Sequence, residues 1–262
     1  MTDPRHHDLG TRFRDLHRDG TFLLANVGDA ATARALSDAG VDAIATSSAA
    51  HAATIGRPDA AGAVTMEEHA EHTALLAAAA DVPLNVDAEN GYGHEPEDVA
   101  AAVQRFAATG AAGIGIEDWS GDPERGVYDR ALAVARIEAA VEAARALDRP
   151  FVITGRTEIL LYGLEGGMAE ALARLQGFAA AGADCLYAPG TWDLDGIRLV
   201  AAEAGGPTNA LVPIGSPLSF SDVAAAGVRR VSLGGSLFSA QVAHGRSLID
   251  SLRATGSFAP PG

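Results

Sequence analysis

"FAATGAAGIGIED" (Phe106–Asp118) holds a helix tail, a glycine, a short β run and two acids. Gly110 sits where a helix needs a left-handed residue to stop, and the apolar run begins two residues later. The same unit recurs as "ALSDAGVDAIATSS" (35–48), "FAAAGADCLYAPG" (178–190) and "VAAAGVRRVSLGG" (223–235), with Gly40, Gly182 and Gly227 in the capping position. Strands that follow helices at once, in unbroken alternation, imply parallel βαβ units. Working outward, β runs fall near 21–26, 42–46, 82–87, 112–117, 151–155, 184–188, 210–214 and 229–233. Helical patterns fill 29–39, 65–80, 95–109, 129–147, 168–181, 194–204, 219–226 and 236–254. Eight of each in roughly 250 residues predict a (β/α)8 TIM barrel of the α/β class. A doubly wound sheet is the alternative, but no G-x-G-x-x-G opens a helix after the first strand. No break in composition marks a second domain. The expected organisation is one barrel over 1–262, with an N-terminal arm (1–18) and a C-terminal helix and tail (236–262).

The bulk chemistry narrows the function. A net charge of −15 argues against nucleic acid, whose phosphates demand a basic face, and against an anionic membrane surface. The longest apolar run, "TALLAAAADVPL", is too short to span a bilayer, and "MTDPRHHDLG" has no secretory pattern. A soluble cytoplasmic protein is expected. The single Cys185 cannot form an internal disulfide or a cysteine zinc site. All 19 basic residues are Arg. Without lysine there is no Schiff-base chemistry, no pyridoxal-phosphate anchor and no Walker phosphate loop.

In such a barrel function gathers at the C-terminal ends of the strands. Those ends carry Asn26 with Asp29 beyond, then Thr46, Ser47 and Ser48, then Asp87, Glu89 and Asn90, then Glu117 and Asp118, then Arg156 and Glu158. "APG", "PIGS" and "LGGS" close strands six to eight. Asp87, Glu89 and Glu117 come from adjacent strands, and three carboxylates pushed together repel unless protonated, paired or bound to a cation. Their oxygen-only chemistry suits Mg²⁺, or Mn²⁺, rather than zinc. The plainer alternative is helix capping and pairing with Arg. The guanidinium of Arg156 can grip a carboxylate in bidentate fashion, or serve as a structural partner of Glu117 or Asp87. Ser47 and Ser48 offer N–H and hydroxyl groups to an anion, or cap the next helix. Asn26 and Gly91, from the ends of strands one and three, complete the substrate-binding candidates. His6, His7 and His17 read as solvated, His69 and His72 as a polar helix face, and Cys185 as a small core hydrophobe.

Four stretches, "ATSSAAHAATIGRPD", "VDAENGYG", "GIEDWSGDP" and "ITGRTE", together resemble the isocitrate lyase/phosphoenolpyruvate mutase superfamily over about residues 20–240. The resemblance implies a Mg²⁺-dependent (β/α)8 barrel that works through metal-stabilised enolates. By matching position, Asp87 would be the direct metal ligand, and Glu89, Glu117 and Asp59 would hold its waters. Ser47 and Ser48 would bind the substrate carboxylate and Arg156 its other anionic end, so that Arg156, Asp59 and Glu117 are the catalytic candidates. The family's habit of forming tetramers by exchanging C-terminal helices implies a homotetramer. One segment departs from the pattern: "EDWSGDPERGVYD" has neither the loop Cys of the lyases nor the Lys and Asn of the mutases. Ser120, Tyr92, His94 and Glu158 are the alternative proton donors.

The leading expectation is therefore a Mg²⁺-dependent lyase that cleaves a C–C bond of a small 2-oxo or 2-hydroxy carboxylate. Decarboxylation of an oxaloacetate-like acid fits best, because loss of CO₂ needs no acid–base cysteine. A phosphonopyruvate-type P–C bond enzyme is the second reading. A non-catalytic carboxylate-binding barrel is the third.

Overall fold

Gly40, Gly110, Gly182 and Gly227 end their helices as the repeat requires, with φ between +82° and +98°. The computed structural model describes residues 3–59 and 62–259 of the chain. Its strands are β1 (Phe22–Asn26), β2 (Ala43–Ala45), β3 (Leu84–Asp87), β4 (Gly113–Glu117), β5 (Val152–Arg156), β6 (Cys185–Tyr187), β7 (Thr208–Leu211) and β8 (Arg230–Ser232). Each pairs in parallel with the next, and β8 returns to β1, closing the barrel. The helices are α1 (Pro4–Leu16), α2 (Ala30–Asp38), α3 (Ser48–Thr54), α4 (Met66–Ala79), α5 (Pro96–Ala107), α6 (Arg130–Arg145), α7 (Gly167–Ala180), α8 (Leu194–Glu203), α9 (Phe220–Ala225) and α10 (Ser236–Thr255). The expected (β/α)8 class is the observed one. Among the described residues no helix is long and apolar enough to cross a membrane.

Polar residues start the helices at the mouth. Asp29, Asp129, Asp193 and Ser219 each accept a first-turn N–H, and Thr65 with Glu68 forms a capping box on α4. The main core lies outside the barrel, where Val86, Ile114 and Ile153 meet Phe106, Ile137 and Phe178 of the helices. The barrel interior is polar instead: Asn85, Thr154, Asn209, Arg230 and Ser232 are all buried.

Three expectations change. The N-terminal arm is a helix that plugs the barrel floor, with Phe13 packed on Phe22, Leu24 and Val152. Gly113 permits this, since a Cβ there would stand 2.8 Å from the Phe13 ring. His17, expected in solvent, is 4% exposed. Strand β7 is Thr208–Leu211 rather than 210–214, and it stops early because Pro213 has no N–H to donate. The last donor of that strand is Val212, to Ser232. Cys185 packs inside β6 as expected.

Candidate active site

At the mouth, register brings the charged strand ends together: Asp87 pairs with Gly115, and Glu117 with Arg156. Both carboxylate oxygens of Asp87 are engaged. Oδ2 accepts from the Ser48 N–H (3.1 Å) and hydroxyl (3.2 Å), and Oδ1 accepts from Arg156 Nη1 at 3.2 Å. Arg156 Nε donates to Glu158 and lies 3.4 Å from Glu117. Its Cζ stands 5.2 Å from the Tyr187 ring centre. Beneath, Asp118 accepts from the Glu158 N–H (2.9 Å) and pairs with buried Arg174 (3.0 Å).

Crowding of acids shows in their protonation. Burial pushes Glu117 well above the usual carboxylate range despite Arg156, and Glu158, Asp87 and Glu89 push the same way. Burial, then Asp87, raises Glu89 to about 7. Asp59, at the outer rim, is raised by burial and by Asp87. Arg156 is held firmly protonated by Glu158, Glu117 and Asp87, which outweigh its desolvation. Glu89 and Tyr92 both adopt left-handed backbone (φ +48° and +63°), a strained choice for side chains of this size that concentrates at functional turns.

The remaining expected residues fall as follows. Ser47 caps α3 through its hydroxyl on the Ala50 N–H. Asn26 ties three strand ends: it donates to the Thr46 carbonyl and accepts from the Leu233 and Gly234 N–H groups. Gly91 turns away from the mouth, where a Cβ would press on Val99 and Ile116. Ser120 is spent on Asp122, and His94 on Tyr128 at 2.8 Å.

His69 and His72, expected on a polar helix face, instead turn inward and group with buried His51 behind the site. The rings of His51 and His72 stack at 4.0 Å. His69 contacts Thr46 Oγ1 (3.1 Å) and the Tyr92 hydroxyl (2.6 Å), while Thr46 Oγ1 accepts the Asp87 N–H (2.8 Å). Burial, and then His51, push His69 down to about 3 and His72 to about 4. The buried face of α4 runs through His69, Thr73 and Leu76 to Ala80 at helical spacing, but its two polar members and the alanines on the other faces hide it in the sequence.

Among the described residues no three Asp, Glu, His or Cys side chains converge tightly enough to cage a metal. The donors are all oxygen, the carboxyls of Glu89, Glu117 and Asp59 are raised by burial and by neighbouring acids, and Glu158 Oε2 is buried with no hydrogen-bond partner among the described residues. This set fits a divalent cation held by Asp87 and by waters on Glu89, Glu117 and Asp59, the sparse protein ligation that Mg²⁺ accepts.

Residues 13–253 match the family model described as phosphoenolpyruvate phosphomutase. The chain is 33% identical over 225 residues to an oxaloacetate decarboxylase of Paraburkholderia xenovorans (strain LB400), covering 82% of this chain and 71% of that protein. The covered share of the relative falls to 50% for a curated protein of Corynebacterium glutamicum. A solved structure from Burkholderia cenocepacia J2315, provisionally assigned as a lyase/mutase, superposes with TM-score 0.92 at 39% identity, over 99% of this chain and 95% of that one. The phosphoenolpyruvate phosphomutase of Streptomyces platensis subsp. rosaceus follows at TM-score 0.84 and 27% identity, over 95% and 88%.

Proposed function

The chain belongs to the isocitrate lyase/PEP mutase superfamily, and from that premise we propose that it is a Mg²⁺-dependent lyase that decarboxylates an oxaloacetate-like 2-oxo acid. One observation carries the reading: Asp87 is fixed at the mouth by Ser48 and Arg156 among Glu89, Glu117 and Glu158, while the loop after β4 brings neither Cys nor Lys. Loss of CO₂ asks for neither. The C3–C4 bond of the 2-oxo acid breaks, its electron pair moves towards C3 and the carbonyl oxygen, and water returns a proton to C3. A bound Mg²⁺ would supply Lewis-acid stabilisation of the developing negative charge. The protein's own groups orient and compensate. Ser48 and Arg156 hold Asp87 in one rotamer, and Asn26 fixes the Gly234 turn. Arg156 Nη2, with no hydrogen-bond partner among the described residues, faces an incoming anion.

The test is Asp87→Ala, expected to abolish Mg²⁺-dependent decarboxylation of oxaloacetate while circular dichroism stays native. Activity retained in that variant overturns the reading. The family model's own description favours a second reading, P–C chemistry on phosphonopyruvate, which alone produces a new phosphorus NMR signal. The proposal includes a homotetramer, supported by α10, none of whose twenty residues is buried in the single chain.

A further inference from the structure

The end of the barrel opposite the mouth holds a second cluster of charge. A cavity of about 300 Å³ opens there at the foot of β5, lined by Arg14 of α1, Arg145 at the end of α6, and Arg149 on the turn into β5. That volume is at the small end of the range for ligand pockets. Val141, Leu147, Phe151 and Ile153 give it an apolar wall, and Asp184 is the one carboxylate in its lining.

The arginines here are incompletely bonded. Arg149 is 7% exposed. Its Nη2 donates to the Ala107 and Ala111 carbonyls, both at 2.7 Å, but its Nη1 is buried with no hydrogen-bond partner. Burial lowers its pKa, with Asp148 working against that shift. Arg14 Nε is likewise buried without a hydrogen bond, and Asp15, 3.7 Å from it, is held closer by Arg18 at 3.0 Å. Among the described residues three buried side-chain nitrogens lack a partner, and two of them belong to this cavity's arginines, the third being that of His72. Buried N–H groups left unbonded are costly and rare. Arg145 is exposed at the rim and lies over Gly182, where a Cβ would stand 2.6 Å from its Nη2. Asp184 Oδ2 accepts the Ile153 N–H at 2.8 Å.

We propose that this cavity is a binding site for a small organic phosphate, held by Arg14, Arg145 and Arg149, with an apolar body laid on Val141, Leu147 and Phe151. Guanidinium groups take phosphate through charge-assisted hydrogen bonds. Three of them, reaching in from α1, α6 and the β5 turn, suit a tetrahedral group with three free oxygens better than a planar carboxylate. A plainer reading is an arginine cluster that ties the barrel floor together, since this face of such barrels serves stability. That accounts for Arg149 Nη2 but leaves the two unbonded nitrogens unexplained. A bound ligand would brace the feet of β4 and β5, whose other ends carry Glu117 and Arg156. The site stands apart from the reaction assigned to the mouth and does not depend on it.

Calorimetry on the full chain, without Mg²⁺, compares phenyl phosphate, inorganic phosphate and benzoate. Phenyl phosphate is expected to occupy one site per chain, at least tenfold more tightly than either of the others. Arg145→Ser, at an exposed position, should weaken it at least tenfold. Asp184→Asn should tighten it at least threefold, because the amide oxygen still accepts from Ile153 while the opposing charge is gone. The inference is overturned if the wild type does not bind, or if inorganic phosphate or benzoate binds as tightly as phenyl phosphate. It is equally overturned if Arg145→Ser leaves the affinity unmoved, as for a ligand held at the mouth, or if Asp184→Asn fails to tighten it. Should Asp184→Asn not fold, Arg145→Ser decides.

Discussion

Thr46 is the joint on which the front of the site depends. Its hydroxyl accepts the Asp87 N–H and meets His69, which in turn meets Tyr92 on the strained turn that carries Glu89. Because Thr46 and His69 are buried, removing the imidazole nitrogens strips the Tyr92 hydroxyl of its partner and leaves the Thr46 hydroxyl only the Asp87 N–H, at about 1–3 kcal/mol. His69→Phe is therefore expected to lower stability by about 1–3 kcal/mol and to weaken Mg²⁺ binding through the displaced Glu89 turn. His69→Gln, which keeps polar atoms, should recover part of both. Urea unfolding and calorimetry read the two effects, and unchanged Mg²⁺ affinity in His69→Phe would sink the argument. Asp87, Glu117 and Arg156 were legible in the sequence because a charge that directly follows an apolar β run must sit where the buried strand meets water, at the barrel mouth. His69 and Arg230 were not. Alanine covers several faces of α4, so apolarity does not mark the buried side, and "VRRVS" does not say which arginine points inward.

At the scale of elements, the glycine caps fixed the βα alternation in advance, whereas α1 left little trace. Its sequence is charged or histidine at seven of thirteen positions, and only Gly10 and Phe13 are buried within it. Its C-terminal His17 makes the plug testable by pH. Burial, then Arg230, push His17 down to about 3, against an unfolded value near 6.5. Between those values the unfolded chain holds more protons than the native one. The contribution of His17 is therefore complete above about pH 6.5 and is lost as pH falls towards 3, at about 1.4 kcal/mol per pH unit. Buried Asp118 and Glu158, both raised, bias stability the opposite way, so the difference between proteins is the informative quantity. Wild type minus His17→Gln, followed by urea unfolding from pH 4 to 6, should show a slope of about 1.4 kcal/mol per unit. Parallel curves would mean that His17 is not buried neutral against Arg230.

For the whole molecule, eightfold closure followed from counting units, but assembly did not, because interface residues obey the same helical period as core residues. Helix α10 shows the ambiguity. Val242 (57% exposed) and Ile249 (50%) lie seven residues apart on one face, with Phe238 four residues before Val242. A groove of about 410 Å³ beside them is lined by Ala49, Ala50 and Ala53 of α3 and by Phe238 and Val242 of α10. Apolar surface of this kind is covered in an assembled protein, and a second copy of the chain is the occupant proposed above. The groove also connects assembly to chemistry. Helix α3 begins at Ser48, whose N–H and hydroxyl hold Asp87, so a partner seated on Ala49 and Ala53 would steady Asp87. The double variant Val242→Glu/Ile249→Glu is expected to run as a monomer by light scattering, where the wild type is expected to run as a tetramer. Its kcat/KM should fall by about tenfold or more, as for other small misplacements of positioning groups, with circular dichroism unchanged. A wild type that is already monomeric would remove the interface, and a monomeric variant with full activity would cut the link from α10 through α3 to Asp87.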